Sequence, residues 1–326
     1  MTLSFITKFM HTRSFGVAVA VCAFIAAASY FFCGLSEPLT GERGLALASA
    51  NGWITIPFLD FMAGIAGCAV PVVAMYFLNK IYNVLRSITS LYIALYSLMM
   101  LASPDLLTQF YTGTLLAATV PLCILFLFSC YREPESSKHI FIIFLLLSFF
   151  AATQYCFLFY LIVFIVGLGQ MRIFNARALL AAAFGIITPW WIMLGFGIIS
   201  LQEIKMPTFV SIFAVFDDEE AAILLLTIGI TIFAMFACYV LNFFKAIAYN
   251  AKARAFNGTF TVLALVTIVA MCIDYPNIIA YIPLLNFSAT MEITHYFSTH
   301  RSDKSFAVIF VILAVYASIF ACQTII

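Results

Sequence analysis

Charge is what this chain has least of. Asp, Glu, Lys and Arg make up 9% of its 326 residues, against about 25% in a soluble domain. Hydrophobic residues make up 65%, and surface-to-volume scaling leaves a soluble fold of this length no way to hide them all. The surrounding solvent must therefore be lipid. A net charge of +1 with no long basic run carries no nucleic-acid signal. No CxxC pair occurs, and no His stands at metal-ligand spacing from Cys22, Cys33, Cys68, Cys123, Cys130, Cys156, Cys238, Cys272 or Cys322. These cysteines read as small buried apolar residues rather than as a disulfide framework. The P-loop, dinucleotide fingerprint, HExxH and GxSxG motifs are all missing, which argues against an ATP-driven pump in one chain.

What is present is a succession of apolar runs of membrane-crossing character. They cover about 14–35, 54–78, 88–103, 107–130, 140–152, 154–170, 178–200, 221–244, 258–273, 277–292 and 305–325. The expectation is an all-α transmembrane bundle of eleven helices forming a single membrane domain. Lys8 and Arg13 before the first run imitate a signal peptide, but a run of about 22 residues exceeds the 7–15 of a signal core, so a retained helix is expected.

The few charges orient the bundle. If the N-terminus is inside and every run crosses once, thirteen of the fifteen Lys and Arg fall inside, and only Arg43 and Lys205 fall outside. The C-terminus is then outside. The acids Glu37, Glu42, Asp105, Glu203, Asp217, Asp218, Glu219, Glu220 and Asp274 fall outside, a weaker signal. As one helix, residues 140–170 would be roughly 46 Å long, too long for a hydrocarbon core of about 30 Å. A hairpin turning near Thr153–Gln154, either fully crossing or re-entrant, keeps Lys245, Lys252 and Arg254 inside. Pro71, Pro121, Pro189 and Pro283 lie within runs, where neighbouring helices can satisfy the carbonyls they free.

Ionisable groups within a membrane are default functional candidates. Asp60, about one turn inside the outer end of the second run, is one; its plainer role is an interfacial or helix-capping carboxylate. The first outer loop, Ser36-Glu37-Pro38-Leu39-Thr40-Gly41-Glu42-Arg43, offers Glu37 as a general base and Arg43 as a fork for a phosphate. Polytopic glycosyltransferases that use polyprenyl-phosphate sugars also place an acid in their first outer loop, a positional resemblance. The plainer reading is solvated loop charge. No cofactor is expected, although a divalent cation bridging a diphosphate remains an option.

Asp217-Asp218-Glu219-Glu220 precedes the eighth run, where acids complement a helix N-terminus more readily than they share one ion. Asp274-Tyr-Pro-Asn277 reads as an outer turn. Glu292 and His295, three apart, share a helix face if the helix continues; two such groups do not make a metal site. Basic residues beside aromatics, such as Lys80, Arg86, Arg172 and Arg177 near Tyr82 and Trp190–Trp191, suit anionic headgroups.

Two stretches carry a family resemblance: Leu78-Asn79-Lys80-Ile81-Tyr82-Asn83-Val84-Leu85-Arg86-Ser87, and Arg172-Ile-Phe-Asn-Ala-Arg177 through Gly185-Ile-Ile-Thr-Pro-Trp190-Trp191. Over roughly residues 75–200 the chain resembles a family of bacterial polytopic inner-membrane proteins, common in Bacteroidota, whose activity is unknown. The resemblance implies an inner-membrane location and an envelope-related role, and nothing catalytic. Three expectations follow. The first is an envelope-assembly protein handling a lipid-linked or glycan substrate, with Glu37 and Asp60 as carboxylates and Arg43 as phosphate contact. The second is a transporter or channel-like protein, and the third a non-catalytic subunit of a membrane complex. Membrane lipids are the expected partners.

Overall fold

The computed structural model describes residues 12–36, 39, 44–85, 90–133, 135–200, 202, 204, 207, 209–210, 222–247, 249, 251–299 and 303–325. Among these, the chain is all-helical, with no strand. The helices are α1 (Arg13–Phe32), α2 (Pro57–Tyr82), α3 (Leu91–Leu101), α4 (Pro104–Thr108), α5 (Thr112–Ser129), α6 (Ser137–Ala151), α7 (Cys156–Gln170), α8 (Ala176–Gly195), α9 (Ala222–Ile247), α10 (Ala251–Ile273), α11 (Ile278–Thr299) and α12 (Asp303–Ile325). Short 3-10 turns occupy Ala50–Gly52 and Tyr275–Asn277.

Local chemistry sets several of these boundaries. Pro57 and Pro104 start α2 and α4, where a preset φ helps and a missing N–H costs nothing. The Asn175 side chain accepts the Ala178 N–H at 2.8 Å and caps α8. Asn83 ends α2 in the left-handed region (φ 51°), its N–H bonded to the Asn79 carbonyl.

Among the described residues, seven helices are long and apolar enough to cross a membrane: α1, α2, α5, α8, α9, α10 and α12. Their outward faces are apolar, as at Ile25 of α1, Phe184 and Trp191 of α8, Phe233 of α9 and Phe310 of α12. These are the features of a multi-pass membrane protein. Three of the expected runs form helices shorter than a bilayer core. At about 1.5 Å per residue, α3 is roughly 16 Å long, and α6 and α7 are each roughly 22 Å, against about 30 Å of hydrocarbon. The chain turns between α6 and α7 at residues 152–155, and this tip is buried. The first loop satisfies its carbonyls: Leu45 N–H donates to Thr153 O, and the Ala46 and Leu47 N–H groups donate to Ala152 O. Non-helical backbone at this position needs such protein partners.

α11 is the axis of the bundle. Residues 280–295 are buried without interruption, and the helix packs against α9, α5, α10 and α3. The apolar run ends near residue 292, yet the helix continues to Thr299, because the polar residues that end the run point into protein rather than lipid. Around this axis small residues permit close contact. Gly185 of α8 places its Cα so near α6 that an added Cβ would sit 2.7 Å from Phe141 O. All nine cysteines are free. Cys68, Cys123, Cys130, Cys156 and Cys238 are buried as expected, but Cys22, Cys33 and Cys322 are exposed. The first lies on the outward side of α1, the second just past its end and the third on the outward side of α12.

Candidate functional site

The turns group into two ends. One end gathers the first loop, the α3–α4–α5 breaks, the 152–155 tip and the 274–277 turn. The other holds the described basic residues Lys80, Arg132, Lys138, Arg172, Arg177, Lys252 and Arg254, near the Tyr82, Tyr131 and Met171 turns.

Asp60 stands in the first turn of α2 at the first-loop end, half-buried. Its Oδ1 accepts the Phe110 N–H at 2.9 Å, and Oδ2 has no hydrogen-bond partner among the described residues. One turn on, Gly64 lets α2 lie against the backbone of Gln109, where an added Cβ would fall 2.7 Å from Gln109 O. Gln109 is the anchor of the first loop: its Oε1 accepts the Leu39 N–H at 3.0 Å, and its Nε2 donates to Ser36 Oγ at 3.1 Å. Ser36 Oγ also meets Thr108 Oγ1 at 3.0 Å, and Asn51 donates to the Leu39 carbonyl. The Tyr30 hydroxyl donates to Asp105 Oδ1 at 3.3 Å. Glu37 and Arg43 lie outside the described residues, as does the 217–220 acid run. Asp60 is therefore one bond from Gln109, which holds both neighbours of the Glu37–Pro38 pair.

Beneath this end a lipid-facing groove of about 220 Å³ runs between α1, α2 and α3. Ala20, Phe24, Ala69, Val73, Tyr96 and Leu107 are among its walls. Leu107 belongs to α4, so the groove reaches the level of the loops. The lining is almost wholly apolar, and the buried Tyr96 hydroxyl makes no hydrogen bond among the described residues. The volume falls below the roughly 300–1,000 Å³ of a typical small-molecule pocket.

The most completely built polar centre joins residues that spacing does not connect. Asp274, between α10 and α11, is fully buried. Its Oδ1 accepts from the Tyr155 hydroxyl at 2.7 Å, and its Oδ2 accepts from the Tyr281 hydroxyl at 2.7 Å. Asn277 Nδ2 reaches both oxygens at 3.0 and 3.1 Å, and the Cys156 thiol lies 3.8 Å from Oδ2. Gln154 Nε2 donates to Asn277 Oδ1 at 2.7 Å, while its own Oε1 is buried without a partner. Phe209 packs on the Tyr155 and Phe159 rings, and Tyr275 N–H bonds Val210 O, which closes the centre from above. In the 274–277 stretch, expected as an outer turn, Asp274 and Asn277 are buried while Pro276 is exposed. Tyr155, Cys156 and Gln154 stand more than a hundred residues away in sequence, and no spacing rule reaches them. With every carboxylate lone pair engaged, Asp274 is suited to clamping the α6–α7 tip onto α10 and α11, not to attacking a substrate.

Further along α11, Glu292 and His295 share a face, since the helix does continue. Both are buried, with Thr261 of α10 within bonding reach of Glu292 and Tyr249 stacked on His295 at 5.5 Å. Between the ends, Asn286 and Thr290 donate only to the sulfurs of Met100 and Met99, each at 3.5 Å. Thioethers are weak acceptors, so this polar face is incompletely satisfied. Arg177 forms an exposed ion pair with Glu135 at 3.1 Å, a surface contact of small energetic weight. No group of three or more His, Cys, Asp or Glu among the described residues could hold a metal ion.

The chain matches no family model, and no curated protein or solved structure is significantly similar to it.

Proposed function

We propose that this is a multi-pass protein of the bacterial inner membrane that engages a lipid-linked or glycan substrate at its outer end, in envelope assembly. The N-terminus is cytoplasmic, the chain crosses eleven times, and the C-terminus is outside. The basic end is then cytoplasmic, in keeping with the positive-inside bias. The observation that carries the substrate class is the apolar groove between α1, α2 and α3, open to lipid and ending at α4 beside the anchored first loop. A prenyl or acyl chain in the groove would bring its phosphate to the level of Asp60 and of the loop bearing Glu37 and Arg43. In this reading Arg43 holds the phosphate, Glu37 acts on the substrate as base, and Asp60 is the second carboxylate.

The test is deletion of the gene, followed by mass spectrometry of lipid-linked intermediates and surface glycans. An intermediate that accumulates and is cleared by wild-type add-back supports the reading. Full restoration by both Glu37→Gln and Asp60→Asn removes the enzymatic version, and an unchanged profile removes the substrate class. The incompletely satisfied polar face of α11 favours transport as a second reading, because intramembrane polar groups facing the bundle interior mark ion or solute paths. Solute flux into proteoliposomes that falls on Glu292→Gln would favour it over the first.

A further inference from the structure

At the opposite end of the bundle, a cavity of about 470 Å³ lies between the C-terminal turn of α2 and the first turns of α10. It is lined by Tyr82, Asn83 and Val84 on one side and Lys252, Phe256 and Asn257 on the other, and no carboxylate lines it among the described residues. Its size falls within the roughly 300–1,000 Å³ typical of ligand pockets. We propose that this cavity binds the phosphate of an anionic ligand, either a phospholipid headgroup or a soluble phosphate, with Lys252 as the cation and Asn83 and Asn257 as amide donors.

Three features support the assignment. First, the cation is held in place rather than dispersed. Lys252 Nζ lies 5.7 Å from the Tyr131 ring centre and 5.6 Å from that of Phe256. The Arg132 guanidinium lies over the same Tyr131 ring at 5.6 Å. Two cations thus share one aromatic platform, and neither pairs with a described acid. Second, the neutral donors are uncommitted. Asn83 uses its backbone N–H to close α2 on Asn79, and no hydrogen bond engages its side-chain amide or that of Asn257 among the described residues. The first turn of the 23-residue α10 adds the positive end of a helix dipole. Third, the wall is rigid. Phe128 stacks on Phe256 at 4.1 Å, the Tyr82 ring meets both edge-on, and the Tyr82 hydroxyl donates to the Leu125 carbonyl at 3.3 Å.

The cavity also sits where a headgroup would be. It is bounded by helix ends rather than mid-helix residues, and it belongs to the end holding the described Lys and Arg residues. Basic pockets between helices at that level suit anionic headgroups. The inference needs only that this end meets a membrane surface, and it stands or falls separately from any substrate at the first-loop end.

The experiment uses the full chain purified in detergent. Native mass spectrometry compares retention of dioleoyl-phosphatidylglycerol with dioleoyl-phosphatidylcholine, and a thermal-shift series uses inorganic phosphate. Wild-type protein should retain phosphatidylglycerol at least fivefold better than phosphatidylcholine. Lys252→Gln should reduce that preference about fivefold, the effect of one Lys near an anionic surface, and Lys252→Arg should restore most of it. A thermal shift by inorganic phosphate that Lys252→Gln abolishes, without lipid preference, assigns the site to a soluble phosphate. Lys80→Gln is the control, since its ammonium lies over Tyr76 and outside the cavity lining, and it should change neither readout. The proposal is overturned if neither lipid preference nor phosphate shift appears, or if Lys80→Gln weakens binding as much as Lys252→Gln. Monodisperse elution and an unchanged ligand-free Tm of each variant separate lost binding from lost folding.

Discussion

Removing the carboxylate of Asp274 should destabilise the whole bundle, because three side chains from two distant parts of the chain depend on it. In Asp274→Ala, the Tyr155 and Tyr281 hydroxyls and the Asn277 amide each lose an acceptor inside a fully buried site. The site is fully buried, so donors left short of an acceptor there carry a desolvation cost. Individual interhelical hydrogen bonds in membrane proteins are worth about 0.6 kcal/mol on average and up to about 1.7, so three of them amount to roughly 2–5 kcal/mol. At about 2 °C per kcal/mol for a chain of this size, Tm should fall by about 4–10 °C. Far-UV dichroism of the detergent-purified protein during heating measures this. A mutant cycle sharpens it: Tyr281→Phe should lower Tm in the wild type, but should leave it unchanged or raise it in the Asp274→Ala background, where that hydroxyl is already orphaned. A Tm fall of under about 2 °C for Asp274→Ala, or additive effects in the cycle, would refute the clamp.

Three further outcomes are expected. Gly64→Leu forces side-chain atoms into the Gln109 backbone and should cost about 1–3 kcal/mol, seen as reduced Tm and reduced yield of monodisperse protein; unchanged values would contradict the close approach. Gln109→Ala removes the contacts to Leu39 and Ser36, and limited proteolysis should then cut the first loop several-fold faster, with cleavage elsewhere unchanged. Glu292→Gln keeps a hydrogen-bonding partner for Thr261 while removing a buried ionisable group that no described cation pairs, so Tm should hold or rise; a fall of more than about 2 °C would show that the carboxyl itself is needed for stability.

The apolar runs and the sign of the charges between them were readable because membrane solvation acts residue by residue: a helix that must face lipid declares itself by composition. The break at 152–155 was readable for a geometric reason, since a single helix over 140–170 would overrun the bilayer. α11 was only partly readable. Its buried position lets it carry Asn286, Glu292 and His295, and those residues depress the very hydropathy by which a crossing is recognised. The Asp274 centre was readable only as a turn, because Tyr155 and Asp274 are 119 residues apart and meet only when the α6–α7 tip docks on α10 and α11. Asp60 was found as an ionisable group near the membrane, but its partner, the Phe110 N–H, is a backbone group in a break between two helices and leaves no mark on side-chain pattern. α4 was likewise hidden, as five residues that begin between two apolar runs and end inside the second.

The most direct test of the substrate reading is to ask what occupies the groove. The protein is purified from native membranes as wild type and as Ala69→Phe, which fills the groove from α2. Bound lipids are then extracted and identified by mass spectrometry. A prenyl-phosphate-linked lipid that co-purifies with the wild type, and is depleted at least tenfold in Ala69→Phe while the variant elutes as a monodisperse protein, is the result predicted. Only bulk phospholipids, in equal amounts from both proteins, would contradict the account.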